Sequence, residues 1–201
     1  ISRTYDRFIQ RTPKEQAAYQ GGRSTTEQVF TIKMLVEKAI NASDYTIYIL
    51  LLDMSKAFDT VDRRILFEFL EEILNQDELH LFSILSRCPK IQVKVGDEIG
   101  EPFETLIGIM QGDVLSAILL IFYLACCLKN ETTTYLNKML FPPKYADDIT
   151  YATNNKRIFN QLQEKTAKKL KTFNLMINSS KTEKYEVPKP GRSFFFCKRS
   201  N

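Results

Sequence analysis

Histidine and cysteine are scarce in this chain of 201 residues, and their scarcity argues against several kinds of site. With His80 as the one histidine, neither a Ser-His-Asp nor a Cys-His catalytic arrangement is predicted. We interpret His80 as an ordinary residue on a helix surface. No C-x-x-C spacing supports a zinc finger or zinc knuckle, and a reducing compartment fits better than secretion. The four cysteines are Cys88, Cys126, Cys127 and Cys197.

The chain also lacks a hydrophobic run long enough to span a membrane. Its longest apolar stretch, Ala117 to Leu128, is well short of the roughly 20 residues that cross a bilayer. We predict a buried helix there. Residues 1–20 are rich in Arg, Lys and Gln and contain no apolar segment of the kind found in signal peptides. We therefore expect an intracellular protein, in the nucleus or cytoplasm, without a membrane partner.

Charge is unevenly distributed along an otherwise ordinary globular composition. The chain is 44% hydrophobic and 26% charged, which is enough for one sizeable core. Its net charge is only +4, but residues 156–201 carry +9 and residues 1–155 carry −5. A basic C-terminal segment suits a polyanion such as nucleic acid. The alternative is a solvated, lysine-rich helix face.

The hydrophobic pattern predicts helices interleaved with antiparallel strands. A capping box at Ser24–Glu27 precedes a helix over about 25–42, and the run YTIYILLL predicts a buried strand over 45–52 that ends at Asp53. Other helices are predicted from Asp62, after Asp77, over 115–128 and over 157–173. Further strands are predicted over 91–107 around a turn at 96–98, over 144–152 as a hairpin, and over 178–187. The fold class is α+β, with helices packed on one face of an antiparallel sheet.

Two adjacent carboxylates interrupt the strand-forming residues of the stretch KYADDITYA. We predict Asp147 and Asp148 at the tip of the hairpin, 94 residues after Asp53, so they meet Asp53 only if the two strands are neighbours. Carboxylates that close raise one another's pKa unless a cation compensates them, and Mg²⁺ prefers oxygen ligands. Two ions about 3.5 to 4 Å apart are the usual device for in-line phosphoryl transfer. Each motif alone is more often structural.

Five segments in order resemble the reverse transcriptase family, most closely the type encoded by non-LTR retrotransposons. They are YQGGRSTTEQ (19–28), LLLDMSKAFDTVDR (51–64), GIMQGDVLSAILL (108–120), YADDITYA (145–152) and LMINSSKTEKYEV (175–187). The resemblance implies a right-hand polymerase palm over 45–187. Partial fingers and the fingers–palm junction would occupy 1–44, and a tail or the start of a following region 188–201. The resemblance includes no segment that matches the thumb of the family.

The resemblance also implies roles for individual residues. Asp53 and Asp147 would be the main ligands of two Mg²⁺ ions, or of Mn²⁺ in their place, with Asp148 in the same cluster. Phe58 would lie under the incoming sugar and exclude a 2′-hydroxyl, which favours dNTP over rNTP. The alternative interpretation is that Phe58 is simply an aromatic residue of the core. The backbone from Met54 to Ala57 would face the triphosphate.

Three more positions match the family's substrate-binding segments. Gln111 and Gly112 would support template and nucleotide, because glycine permits close approach of the backbone to nucleic acid. Lys181 would neutralise the triphosphate or protonate pyrophosphate, although a lone lysine is otherwise a solvated surface residue. Arg23 would contact template or nucleotide at the fingers–palm junction.

The implied function is an RNA-directed DNA polymerase that adds dNTPs to a DNA primer 3′-OH on an RNA template. One alternative is a catalytically inactive, domesticated or decayed copy that binds nucleic acid. Another is an RNA-directed RNA polymerase, against which Phe58 argues. Backbone charge and the shape of an A-like hybrid would provide most of the binding. Candidate residues to line the duplex are Lys165, Lys168, Lys169 and Lys171. The oligomeric state and the activity of this piece alone are left open.

Overall fold

The computed structural model describes most of the chain. The described ranges are 2–42, 46–86, 90–112, 114–129, 139–140 and 144–187. The predicted tail over 188–201 lies outside them, as do Tyr45, Cys88 and Cys197.

Helices occupy most of the ranges in which apolar residues recur at helical spacing. The helices are α1 (Ser2–Arg11), α2 (Thr25–Ala42), α3 (Ala57–Thr60), α4 (Arg63–Glu71), α5 (Gln76–Ser86), α6 (Val114–Cys127) and α7 (Lys156–Thr172). The predicted capping box of α2 is half formed, because the Glu27 N–H donates to Ser24 Oγ at 3.3 Å while the Glu27 carboxylate pairs with Arg23. Asn155 caps α7 by accepting from the N–H groups of Arg157 and Ile158.

One antiparallel sheet forms the centre of the fold. Its strands are β1 (Ile47–Leu52), β6 (Met139–Leu140), β7 (Lys144–Tyr145), β8 (Asp148–Thr153) and β9 (Glu183–Val187). The strand order is β6-β8-β1-β9, and β7 also pairs with β8. Strand β1 lies between β8 and β9, and a core covers each of its two faces, which explains its continuous apolar sequence.

Alternate side chains of β1 enter two separate cores. Tyr48, Leu50 and Leu52 belong to the larger core, which also takes in residues of α4, α6 and α7. Ile47 and Ile49 belong to a smaller core that α2 covers. The α+β architecture with an antiparallel sheet is confirmed, but the prediction that helices pack on one face was wrong, because α2 covers the second face.

Helix α1 was not predicted, and it contributes to the larger core. Phe8 is 1% exposed and packs edge-on against Phe82 of α5 and Phe122 of α6, with ring centroids 6.0 and 5.1 Å away. Phe8 therefore anchors α1 to the core, while Tyr5 and Ile9 are half-buried and the rest of the helix is largely polar.

The predicted ribbon over 91–107 is shorter and more exposed than its alternating pattern suggests. It consists of two-residue strands, with β2 (Lys90–Ile91) paired to β5 (Phe103–Glu104) and β3 (Lys94–Val95) paired to β4 (Glu98–Ile99). Val93 and Val95 are exposed by 54% and 73%. Strand β9 likewise begins only at Glu183, five residues later than predicted, because 178–182 forms turns. Among the described residues, no helix combines the length and apolar character needed to cross a bilayer.

Candidate active site

The pairing of β1 with β8 brings the predicted carboxylates to one end of the sheet. Leu52 is opposite Ile149, and the chain continues directly to Asp53 on one strand and comes directly from Asp148 on the other. Asp53 and Asp148 therefore lie at the same end of the two paired strands. This confirms the condition on which the sequence argument depended, that the two strands are neighbours.

The hairpin before β8 carries Asp147 in its turn. Tyr145 pairs with Asp148, so the two turn residues are Ala146 and Asp147. The predicted tip, Asp147-Asp148, is thus wrong by one residue, because Asp148 is already part of the ladder. Ala146 has φ of +54°, the left-handed region that alanine seldom adopts.

The acidic side chains at this strand end interact electrostatically. Desolvation, and then the negative charges of Asp147 and Asp53, raise the pKa of Asp148 above its usual range, while Lys181 acts in the opposite direction. Asp147, Asp53 and Lys181 therefore all lie close enough to Asp148 to act on its charge. An additional positive charge at this position would relieve the repulsion.

Asp53 has an oxygen without a hydrogen-bond partner. Its Oδ2 is buried and accepts no hydrogen bond within the described part of the chain, and Lys181 Nζ lies 3.9 Å from it. A cleft of about 400 Å³ opens beside this oxygen. The cleft is lined by residues of both strand ends, of β9 and of the turn before β9: Leu51, Leu52, Asp53, Asp148, Ile149, Thr150, Lys181 and Glu183.

A turn at residues 178–182 holds Lys181 beside Asp53. The Asn178 N–H donates to the Asp53 carbonyl at 2.8 Å, and the Asn178 carbonyl accepts from the N–H groups of Lys181 and Thr182. Asn178 Oδ1 accepts from both the N–H and the hydroxyl of Ser180. Asn178 therefore connects the lysine-bearing turn to the backbone of the first carboxylate.

The backbone after Asp53 is partly engaged within the chain. Met54 forms an isolated bridge with Ile177, and the Ser55 N–H donates to the Met176 carbonyl at 2.8 Å. The Ser55 N–H is thus already used by the protein. Met54 and Ala57 are buried, at 5% and 3% exposure.

Phe58 and the loop that carries Gln111 form a second group of predicted site residues. Phe58 is half-buried against the larger core, and its carbonyl accepts from the Ile109 N–H at 2.8 Å. Gln111 Nε2 donates to Asp59 Oδ1 at 2.9 Å, while Gly112, with φ of +92°, has open space where a Cβ would lie. The structure therefore brings the segment that carries Phe58 against the Gln111–Gly112 loop.

Arg63 fixes the start of this loop, a role that sequence reasoning missed. Its guanidinium donates to the carbonyls of Thr105 and Gly108, both at 2.6 Å, and to Thr105 Oγ1 at 3.0 Å. The candidate Arg23 behaves similarly in its own region: its Nη2 donates to the Lys14 carbonyl at 3.0 Å. Both arginines are occupied by contacts within the chain.

A family model described as reverse transcriptase (RNA-dependent DNA polymerase) matches residues 1–193. The chain belongs to the reverse transcriptase family. A search of curated protein sequences found no match.

Solved telomerase structures share the fold of this reverse transcriptase domain. The telomerase of Candida albicans in complex with a fragment of telomeric RNA aligns with a TM-score of 0.72 at 15% identity, covering 96% of this chain and 36% of the other. Apo telomerase of Candida tropicalis, truncated from its C-terminal domain, aligns with a TM-score of 0.70 at 16% identity, covering 98% and 42%. The chain thus spans well under half of these proteins, and at such identities the likeness concerns the fold.

The reverse transcriptase family generally uses divalent metals, and the carboxylates present fit such ions in part. The donors are oxygens, which Mg²⁺ and Mn²⁺ prefer, and the buried Asp53 Oδ2 has no hydrogen bond to lose. Within the described ranges, however, no three Asp, Glu, His or Cys side chains are grouped closely enough to form a ready-made metal site. The side chains of this reverse transcriptase domain would have to rotate to complete one.

Sequence reasoning also missed Gln16 and Glu183. Glu183 lines the cleft because Leu51 of β1 pairs with it, which depends on the register of β9. Gln16 contacts the Ala146 turn from 130 residues away in sequence, and no local pattern marks it. Asn178 was detectable in principle, because the run NSSK is typical of a side-chain-stabilised turn.

Proposed function

We propose that this chain is the palm, with part of the fingers, of an RNA-directed DNA polymerase of the non-LTR retrotransposon type. Residues 45–187 would be the palm and residues 1–44 the fingers portion. The observation that best supports the proposal is the pairing of β1 with β8, which brings Asp53 and Asp148 beside Lys181 in an open cleft, with Asp147 close enough to act electrostatically on Asp148. Because the similar structures are much longer, the activity is proposed for the polymerase that contains this domain.

The acidic cluster would hold two Mg²⁺ ions, with Mn²⁺ able to replace them. Asp53 and Asp147 would be the main ligands, and Asp148 would contribute mostly through its charge. When bound, the two ions would activate the primer 3′-OH and stabilise the leaving pyrophosphate. The Lys181 ammonium, held beside Asp53, would offset the charge of the triphosphate and deliver a proton to the pyrophosphate.

The second group of residues would select and seat the nucleotide. Phe58 would block a 2′-hydroxyl, so dNTPs would be favoured over rNTPs. Gln111 and Gly112 would support template and nucleotide on a loop whose open side accepts a close approach. Backbone groups between Met54 and Ala57 would face the triphosphate, and Arg23 would stabilise the fingers–palm junction or contact the template.

The partners would be an RNA template, a DNA primer and dNTPs. A telomerase of similar fold is described in complex with a fragment of telomeric RNA, which supports an RNA partner. The proposed location is intracellular, in the nucleus or cytoplasm, where such templates occur.

Primer extension on an RNA template tests this proposal. In a polymerase extended at both ends of this chain, Asp147→Asn is expected to reduce Mg²⁺-dependent extension by at least about 10²-fold, because one carboxylate oxygen becomes an amide. Asp97→Asn, in the exposed turn between β3 and β4, is the matched control and should retain activity. Full activity of Asp147→Asn would overturn the assignment.

The alternative is a catalytically inactive descendant that binds nucleic acid. The absence of a ready-made three-ligand group among the described residues is the observation that favours it. The same assay separates the two. Hybrid binding without any metal-dependent extension by the extended protein would support the alternative.

A further inference from the structure

Gln16 is a buried polar residue that the proposed catalytic roles do not use. It is 3% exposed and lies opposite Lys144 in an isolated parallel bridge. The Lys144 N–H donates to the Glu15 carbonyl, and the Ala17 N–H donates to the Lys144 carbonyl, both at 3.0 Å. The segment that contains Gln16 therefore covers the outer edge of β7.

The side chain of Gln16 extends this pairing to the turn. Its Nε2 donates to the Ala146 carbonyl at 3.0 Å, and its Oε1 accepts from the Ala146 N–H at 2.9 Å. The same Oε1 also accepts from the Ala18 N–H at 3.0 Å. One amide thus bonds both backbone polar groups of Ala146, which needs a donor and an acceptor on the same side chain.

Ala146 is a residue whose backbone needs support from its surroundings. Its φ of +54° places a Cβ-bearing residue in the left-handed region, and glycine is usual at the first central position of such a two-residue hairpin turn. Conformations of this kind persist when neighbouring contacts enforce them. Asp147 and Asp148 follow directly, so a relaxation at Ala146 would displace both carboxylates.

We propose that Gln16 is a positioning residue that holds the Ala146 turn in its left-handed conformation and thereby sets Asp147 and Asp148 relative to Asp53. The inference rests on the proposed function, since the cation that these carboxylates would bind is the one the polymerase needs. Gln16 itself lies behind the turn and acts through the Ala146 backbone.

Mn²⁺ binding to the whole 201-residue chain provides a test that does not require polymerisation. Gln16→Met keeps a side chain of similar length and removes both hydrogen bonds to Ala146, together with the one from the Ala18 N–H. It is expected to weaken Mn²⁺ binding, measured by the electron paramagnetic resonance signal of the free ion, by about 10- to 100-fold, as is usual for residues that orient metal ligands. Amide hydrogen exchange at Ala146 should accelerate at the same time.

A second substitution separates positioning from a general loss of stability. Ala146→Gly in the Gln16→Met chain is expected to recover most of the Mn²⁺ affinity, because glycine adopts positive φ without support. Ala146→Gly alone should bind as the unsubstituted chain does. Gln28→Met, at a buried glutamine of α2 that is 8% exposed, controls for the loss of a buried amide and should leave Mn²⁺ affinity unchanged.

Unchanged Mn²⁺ affinity and unchanged exchange at Ala146 in folded Gln16→Met would overturn the proposal, as would failure of Ala146→Gly to recover affinity. If Gln16→Met does not fold, Gln16→Asn, one methylene shorter, takes its place with the same expected results. If the unsubstituted chain binds no Mn²⁺, the proposed function fails. Exchange at Ala146 would then still decide whether Gln16 holds the turn.

Discussion

At the residue scale, the pKa of Asp148 shows how repulsion at the acidic strand end affects the stability of the metal-free fold. Desolvation, Asp147 and Asp53 raise the pKa of Asp148, and Lys181 opposes them. A carboxyl whose pKa is raised by folding favours the folded state when protonated. Its contribution to stability is therefore fully present below the unfolded value of 3.8 and is lost as pH rises through the higher folded value.

Asp148→Asn is accordingly expected to stabilise the metal-free chain at neutral pH. The difference in free energy of unfolding between the variant and the original chain should shrink as pH falls from 7 toward the unfolded value of 3.8, because the aspartate becomes protonated over this range. Urea unfolding in the presence of a chelator, at several pH values, measures it. Asp97→Asn, in the exposed β3–β4 turn, is the control. A destabilised Asp148→Asn at neutral pH would contradict the electrostatic account.

Phe58 allows a second prediction at this scale, on sugar selection. Its ring is half-buried against the larger core, so it is both a packing residue and a candidate block to a 2′-hydroxyl. Phe58→Ala in the extended polymerase should raise rNTP incorporation relative to dNTP by about tenfold or more, since a site selects by the contacts it denies the wrong substrate. Phe67→Ala removes another half-buried ring from the same core and should lower stability without changing selection. Equal use of both nucleotides by the original enzyme would refute the role.

At the scale of elements, the loop that carries Gln111 is held against the segment that carries Phe58. The Gly108 N–H donates to the Val61 carbonyl at 2.8 Å, and Arg63 donates to the Gly108 carbonyl. Gly108 has φ of +86°, and a Cβ there would lie 2.9 Å from the Asp59 carbonyl oxygen. Two independent requirements, backbone angle and close approach, therefore demand glycine.

Gly108→Ala should cost more stability than Gly112→Ala. Both residues have positive φ, which costs a residue with a Cβ about 1–2 kcal/mol. Gly112 has open space for a Cβ, whereas Gly108 faces rigid backbone, so we expect Gly108→Ala to lose a further 1–3 kcal/mol, on the order of an overpacked core site. Urea unfolding of the two variants gives the difference directly. Equal losses would show that the loop moves away from Asp59 at little cost.

Elements with strong local patterns were predictable from the sequence. The helix α2 follows its capping residue, and β1 follows its unbroken apolar run, to within two residues of the predicted starts. The hairpin turn was misplaced because local preference disfavours alanine at positive φ, and the side chain that enforces it, Gln16, is distant in sequence. Helix α1 was missed because its apolar residues are few and its sequence is largely polar, so that its one fully buried ring, Phe8, does not stand out.

The candidate site, too, has residues that the local sequence predicts and contacts that it does not. Asp53, Asp147 and Asp148 were predictable because the end of an apolar strand and an acidic hairpin are both visible in the local sequence. The pairing of β1 with β8 then brings them to the same end of the sheet. The contacts that hold Lys181 through Asn178, and the loop through Arg63, depend on tertiary packing. Such contacts join segments that no local pattern relates.

At the scale of the whole molecule, different segments of the chain pack against the two faces of the sheet and against its acidic end. Helix α2 covers one face, and the larger core with α6 and α7 covers the other. Residues before position 45 supply Phe8 to that larger core and Gln16 to the acidic end. The proposed fingers portion therefore also supports the palm, whatever its own contacts with nucleic acid.

The basic surface of α7 provides the last prediction, on where nucleic acid binds. The helix buries Phe159, Leu162 and Leu170, and its candidate lysines are exposed except Lys169, which is half-buried. Lys168 is 76% exposed and pairs with Glu164 at 2.7 Å, an arrangement that favours the solvated alternative over a duplex contact.

Hybrid binding should weaken with salt overall, because phosphate contacts release counterions. Lys168→Ala, however, is expected to change the slope of log affinity against log salt no more than Lys33→Ala does. Lys33 is the matched control, an exposed lysine of α2 paired with Glu37 at 3.7 Å in the same i,i+4 arrangement. Binding isotherms at several salt concentrations provide the slopes. A decrease of about one unit for Lys168→Ala alone would place α7 on the nucleic acid, because each lysine that contacts a phosphate contributes about that much.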